Sequence, residues 1–120
     1  MDLIQRITSD ASQRQSLILY NGNVMSFEII YSDSQQGWFI TNLEYGSFIA
    51  RGLRIVVSPN MLNQFKNLID FGLGCFTNTR REPTLIQDFA SKNFNLYILR
   101  KAEVDEYNQR LSEAKQNVSK

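Results

Sequence analysis

At 120 residues the chain suits one domain, and a hydrophobic share of 42% against a charged share of 21% is that of a folded globule, not a disordered tail. Its 13 Lys and Arg nearly cancel its 12 Asp and Glu, and the net charge of +1 is too small a field to gather nucleic acid or an acidic membrane. There is no histidine, which removes the commonest general base and transition-metal ligand, and the single cysteine, Cys75, has no partner for an internal disulfide. Packing alone must therefore hold the fold, and a cytoplasmic folding history fits. No apolar run approaches the roughly 18 residues that span a bilayer, and MDLIQRITSD is too polar for a signal peptide.

Leu3, Ile4 and Ile7 predict a short strand pairing with something distant in sequence. Ser9 to Ser12 is turn-like, and Gln15 to Tyr20 reads as a second strand, apolar from Leu17 onward and so a candidate for cover on both faces. Asn21-Gly22 between two apolar runs predicts a hairpin with a type I′ turn. The meander that follows, Met25 to Ser58, is the stretch around which the chain is organised. Met25, Phe27, Ile29 and Tyr31 share one face of a strand, because side chains alternate sides. Gln35-Gln36-Gly37 breaks the run, with Gly37 as the residue suited to positive φ. Trp38 to Leu43 resumes it with aromatic and β-branched residues, and after Tyr45-Gly46-Ser47 the alternation of Leu53, Ile55 and Val57 predicts a further strand.

Beyond the meander, Pro59 after a Ser58 cap and the spacing of Met61, Leu62, Phe65, Leu68 and Ile69 predict a helix from about Asn60 to Ile69. Phe71 to Thr77 is ambiguous, and its glycines, 72 and 74, point to a bulge or a close backbone approach. Thr84 to Phe89 has the makings of a helical turn, and Phe94 to Leu99, apolar on both faces, is a central strand. The expected class is mainly β (α+β): a small antiparallel β-barrel or sandwich with one or two short helices and a C-terminal helix. Residues 1–100 form the β-rich body and 101–120 a polar helix and tail. In that last segment Val104, Tyr107, Leu111, Ala114 and Val118 recur at alternating spacings of three and four, a narrow apolar seam. The seam packs either on its own domain or on a partner, which makes these five residues the candidate interface.

Constellations for chemistry are weak. Cys75 has no nearby base or second thiol in sequence and reads as a small buried hydrophobe; no cofactor or metal set is apparent. Asp70, Glu82 and Asp88 sit beside loops or ends, where solvated charge is the default. The glycines at 72 and 74 are not followed by the Gly-Lys-Ser/Thr of a phosphate loop. An enzyme is not indicated. A small β-barrel binding single-stranded nucleic acid, or another protein-interaction module, is the alternative reading. The 8 Phe, 5 Tyr and 1 Trp supply stacking platforms in principle, but the cations are scattered among almost as many acids.

Four features read together carry a resemblance: ITSDASQRQSLILYNGNVMSFEIIYSD, the Gly37-Trp38-Phe39 strand start, Gly52-Leu53-Arg54 leading into apolar residues, and REPTLIQDFASKNFNLYIL. Over roughly Leu3 to Tyr107 the chain resembles the small plug domain of contractile-tailed phage baseplates, described from cyanophage-type tails. Cys75 and the charged helix after Glu103 depart from that pattern. The resemblance implies a structural virion component with no turnover and no cofactor, assembled in the host cytoplasm into the tail baseplate. It further implies a seat inside the trimeric hub, above the spike and at the C-terminal end of the tape-measure protein. Several copies around a threefold axis would close the channel until contraction, with no specific nucleic acid and no membrane as partner. No contact residues carry over.

Overall fold

The computed structural model describes the backbone of residues 1–118 and the side chains of residues 1–113. In chain order its strands are β1 (Asp2–Leu3), β2 (Ser12–Ile18), β3 (Val24–Ser32), β4 (Gly37–Tyr45), β5 (Phe48–Ala50), β6 (Leu53–Arg54), β7 (Phe71–Thr77) and β8 (Phe94–Arg100), followed by helix α1 (Lys101–Val118). They form two antiparallel sheets. One runs β2-β3-β4-β5 with β6 also on β4, and the other runs β1-β8-β7. This is the two-sheet form of the expected mainly β class. β1 is the N-terminal strand with a distant partner, pairing Asp2 with Ile98 and Leu3 with Tyr97. β8 is central, as its two apolar faces predict.

Why the first sheet has a core face is visible in its register. Met25, Phe27 and Ile29 of β3 are fully or nearly fully buried, and so are Trp38, Ile40 and Leu43 of β4. The β4 set is out of strict alternation. A register shift at Glu28/Ile29 leaves Thr41 unpaired and resets the phase, so Leu43 faces inward where Asn42 otherwise would. The Thr41 hydroxyl donates to a Glu28 carboxylate oxygen at 2.8 Å, holding the bulge. Phe71, Leu73 and Cys75 of β7 and Phe94, Leu96 and Ile98 of β8 complete the same apolar cluster. Tyr45 on β4 meets Phe71 on β7 edge-on at 4.8 Å, joining the sheets directly.

Several local expectations change. The Asn21-Gly22 hairpin forms, but with a three-residue loop. Leu19 N–H donates to the Asn23 carbonyl and Gly22 N–H to the Leu19 carbonyl, and only Gly22 (φ +85°) is left-handed. That is a type I turn closed by a glycine bulge, not a type I′ turn. At the next turn Gln36 (φ 48°) takes the positive φ. Gly37 is needed for space instead, since a Cβ there would lie 2.6 Å from the Arg54 guanidinium. The third meander strand starts earlier than predicted, at Phe48, and breaks at Arg51-Gly52 (Gly52 φ +70°). It resumes on β4 in unchanged register as β6. β2 is not covered on both faces: its residues alternate between exposed and half-buried, and Ile18 on the open face remains 78% exposed.

The helix predicted over Asn60 to Ile69 reduces to one 3-10 turn, Asn63–Phe65. Its first residues are held by the second sheet: Ser58 bridges Cys75, Met61 N–H donates to the Leu73 carbonyl, and the Asn60 side chain accepts from the Leu62 and Leu73 amides. Past that entry the turns close from i to i+3, Phe65 N–H donating to the Leu62 carbonyl and Lys66 N–H to the Asn63 carbonyl, so a 3-10 turn forms in place of the α-helix. The close approach read from the glycines of β7 is this contact, since a Cβ on Gly72 would lie 2.7 Å from Asn60 Oδ1 and one on Gly74 2.9 Å from the Pro59 carbonyl. The β7–β8 register is unbroken, so there is no bulge.

Gly22 offers a clean test of the hairpin. A Cβ there meets nothing within 4 Å, so Gly22→Val pays only the backbone strain of its φ of +85°. The expected loss is about 1 kcal/mol or more, read as a lower thermal midpoint, with Gly22→Asn losing less. An unchanged midpoint in the valine variant contradicts the turn geometry.

Candidate functional site

The three seam residues whose side chains are described, Val104, Tyr107 and Leu111, are buried to different degrees. α1 follows β8 without a loop, and its root is tied to the body. Arg100 N–H donates to Glu103 Oε1 at 3.0 Å, the reach-back half of a capping box. Lys101 N–H donates to the Tyr20 hydroxyl at 2.9 Å, which in turn donates to the Asp70 carbonyl. Arg100 lies over the Tyr20 ring at 5.5 Å and pairs with Asp2 at 3.3 Å. Val104 is 4% exposed and belongs to the body's own packing, Tyr107 is half-buried, and Leu111 is 36% exposed. The side chains of Ala114 and Val118 lie outside the described residues. Within the described residues the intramolecular reading holds for Val104, while the seam turns outward by Leu111.

A second constellation escaped the sequence reading. The Arg81-Glu82-Pro83-Thr84 loop and the turns after it lie across the end of the core. Pro83 is fully buried. Glu82 Oε2 accepts from the Val57 amide at 2.7 Å, Tyr31 donates to the Thr84 carbonyl at 2.6 Å, and Trp38 Nε1 donates to the Leu85 carbonyl at 3.2 Å. Phe89 stands edge-on to Trp38 at 5.8 Å and near Phe94 at 6.2 Å, between the two sheets. Thr84 to Phe89 forms hydrogen-bonded turns, with Asp88 N–H donating to the Leu85 carbonyl, and no regular helix.

Asp88 overturns the solvated-charge reading. It is fully buried, chelated by Arg81 through Nη1 at 2.8 Å and Nη2 at 2.5 Å, and it accepts from the Leu85 amide at 2.9 Å. Burial pushes its carboxyl up, but the Arg81 bonds and the Leu85 amide outweigh this and hold it below the ordinary carboxylate range. Arg81 also lies over the Phe94 ring at 5.0 Å. Nothing in the sequence marks an Arg and an Asp seven apart in a loop as a pair; the only signal was the proline that fixes the loop between them.

Asp70 and Glu82 are likewise bonded, Asp70 accepting from Tyr45 at 2.6 Å and from Asn21 at 2.8 Å. Cys75 is the buried hydrophobe expected: burial, with the nearby Glu82 charge, pushes its thiol up to about 12, so it carries no thiolate near neutral pH. Among the described residues no three or more Cys, Asp and Glu side chains gather where they could hold a metal ion. No helix among the described residues is long and apolar enough to cross a membrane.

Together these features define a small two-sheet structural module, in which the polar groups that the sequence offered for chemistry serve to pin loops. The chain belongs to the cyanophage baseplate plug family: the family model described as "Cyanophage baseplate Pam3 plug gp18" matches residues 1–101. No curated protein matches the chain. Membership makes it a structural component of the phage tail baseplate that interacts with other baseplate proteins, and it points to a non-enzymatic role. The match takes in both sheets and the Glu-Pro loop and ends at the first residue of α1.

Proposed function

We propose that the protein is the plug at the centre of a contractile-tail baseplate hub, closing the tail channel above the spike until contraction. The family match across the whole two-sheet body carries this reading. A plug must hold its shape under load, and a single apolar cluster shared by both sheets, with its loops tied down by buried bonds, suits that demand. Its partners on this reading are the hub protein, the spike and the C-terminal end of the tape-measure protein, with several copies around the threefold axis. The body and α1 then act as two units: the body fills the channel, and the seam beyond Val104 (Tyr107, Leu111, Ala114 and Val118) docks on a neighbouring baseplate chain.

Reconstruction of purified tails tests the position. Density for the two-sheet body within the hub lumen is the expected result; density at the baseplate periphery refutes the plug. The helix is tested by Tyr107→Ser combined with Leu111→Ser. With Val104 still buried, the isolated variant keeps its fold while incorporation into tails weakens by about 2–4 kcal/mol of lost apolar burial. A variant that melts far below the parent yet assembles once folded assigns the whole helix to the body.

A further inference from the structure

Strand β2 presents an open edge. Tyr31 N–H donates to the Ala11 carbonyl and Leu19 N–H to the Asn23 carbonyl, each at 2.8 Å, so the odd-numbered residues of this strand bond to β3. In an antiparallel ladder the residues between them turn their amides and carbonyls the other way. β2 ends its sheet, so the backbone groups of Ser12, Arg14, Ser16 and Ile18 face outward, and none has a hydrogen-bond partner among the described residues.

The other edges are short or covered. β1 has two residues, β5 and β6 are separated by the break at Gly52, and β7 is covered by residues 58–61 through the Ser58–Cys75 bridge and the Met61 amide. Long edges are usually blunted by proline, lysine or a bulge, because they accept strands from other chains. β2 has no proline, lysine or bulge, and its register with β3 is unbroken from Ser12 to Ile18. Arg14 is its one charge, and the Gln13 and Gln15 side chains, not its outward backbone groups, bond to Gln5, Thr8 and Asp10.

Its side chains narrow the occupant. Ile18 is exposed beside its cross-strand partner Val24, also exposed, and with Leu3 and Leu17 it lines a cleft of about 250 Å³. Arg14 is the one charge on the strand and makes no ion pair among the described residues, and Glu28 opposite it accepts from Thr41. We propose that the β2 edge receives an extended segment of another baseplate chain as an added strand, with an acidic side chain near Arg14 and an apolar one beside Ile18. A second copy of β2 fits poorly, since Ser12–Ile18 contains no acid to answer Arg14, and full antiparallel overlap sets Arg14 opposite Ser16 with the two Arg14 side chains as diagonal neighbours. The inference rests on baseplate membership but not on the hub position.

Hydrogen exchange read by mass spectrometry compares the isolated full-length protein with the same chain in purified tails. In the isolated protein the outward amides of β2 exchange at the earliest times, and in tails they slow by about a hundredfold or more. Detection of the chain in tails with β2 still unprotected overturns the inference and leaves the baseplate role standing. Absence of the chain from tails overturns both. Protection that appears in the isolated protein as its concentration is raised also overturns the inference, since a second copy then fills the edge.

Ser16→Pro removes one outward amide while leaving the β3 ladder intact, because proline is tolerated on that side of an edge strand. It is expected to shift the thermal midpoint by no more than about 5 °C and to reduce incorporation about tenfold or more. Ser16→Val, which keeps the amide, incorporates normally. Normal incorporation of the folded proline variant overturns the inference, and if that variant fails to fold the exchange measurement decides.

Discussion

Trp38→Ala is expected to cost about 4 kcal/mol and to lower the thermal midpoint by roughly 15 °C. The side chain is fully buried, with Tyr31 edge-on at 5.4 Å and Phe89 at 5.8 Å. Truncation leaves a cavity between the sheets and removes one of the two donors to the Leu85 carbonyl, the Trp38 N–H at 3.2 Å, while the Asp88 amide remains. Phe89 sits on the loop, so the damage should spread there: amides of residues 81–92 exchange faster in the variant than those of β7 and β8. Trp38→Phe keeps an aromatic ring but gives up the N–H and part of the buried ring volume, so about half the effect is expected. Equal exchange across the chain would show that the loop is held without the tryptophan.

Asp88→Ala should be the next most damaging change, at about 3 kcal/mol, through the loss of charge-assisted bonds and an orphaned Leu85 amide. Arg81, with 37% of its side chain exposed, can turn to water once Asp88 is gone, which limits the loss. The reverse change, Arg81→Ala, leaves a buried carboxylate unpaired; it should be at least as severe near neutral pH, and it should raise the Asp88 pKa. The pH dependence follows from the sign of the shift. The Asp88 pKa is lowered on folding, so its stabilisation is fully present above the ordinary carboxylate value of about 4 and is lost as pH falls through the lower folded value. Denaturant melts across that acid range should show the gap between parent and Asp88→Ala narrowing as pH falls. A gap that is constant with pH would mean that Asp88 contributes by shape and not by charge.

The meander, the positions of both hairpin turns, the distant pairing of β1 and the central position of β8 were all legible in the sequence. Each rests on local periodicity or turn chemistry, which a few neighbouring residues determine without reference to the rest of the chain. The family was legible too, through short motifs such as Gly37-Trp38-Phe39 and Arg81-Glu82-Pro83-Thr84. Local pattern was not decisive everywhere. The segment from Asn60 has helical spacing and is anchored to Leu73 on β7 through Met61 and the Asn60 side chain, yet its turns close from i to i+3 and only one 3-10 turn forms. Thr41 resets the phase of β4 through a bulge that alternation alone cannot reveal.

What only the tertiary structure decided is which charges are buried, which edge is open and where the seam divides. Asp88 reads as a loop acid until the fold closes Arg81 over it between the sheets. Ile18 reads as part of a covered strand until the fold leaves that face of β2 open and the sheet order leaves its edge without a neighbour. Val104 and Leu111 fall on one seam, but the body reaches only the first. Burial and pairing at these positions depend on residues tens of positions away. Periodicity within a window records which face of an element is apolar, not what the folded chain brings against it.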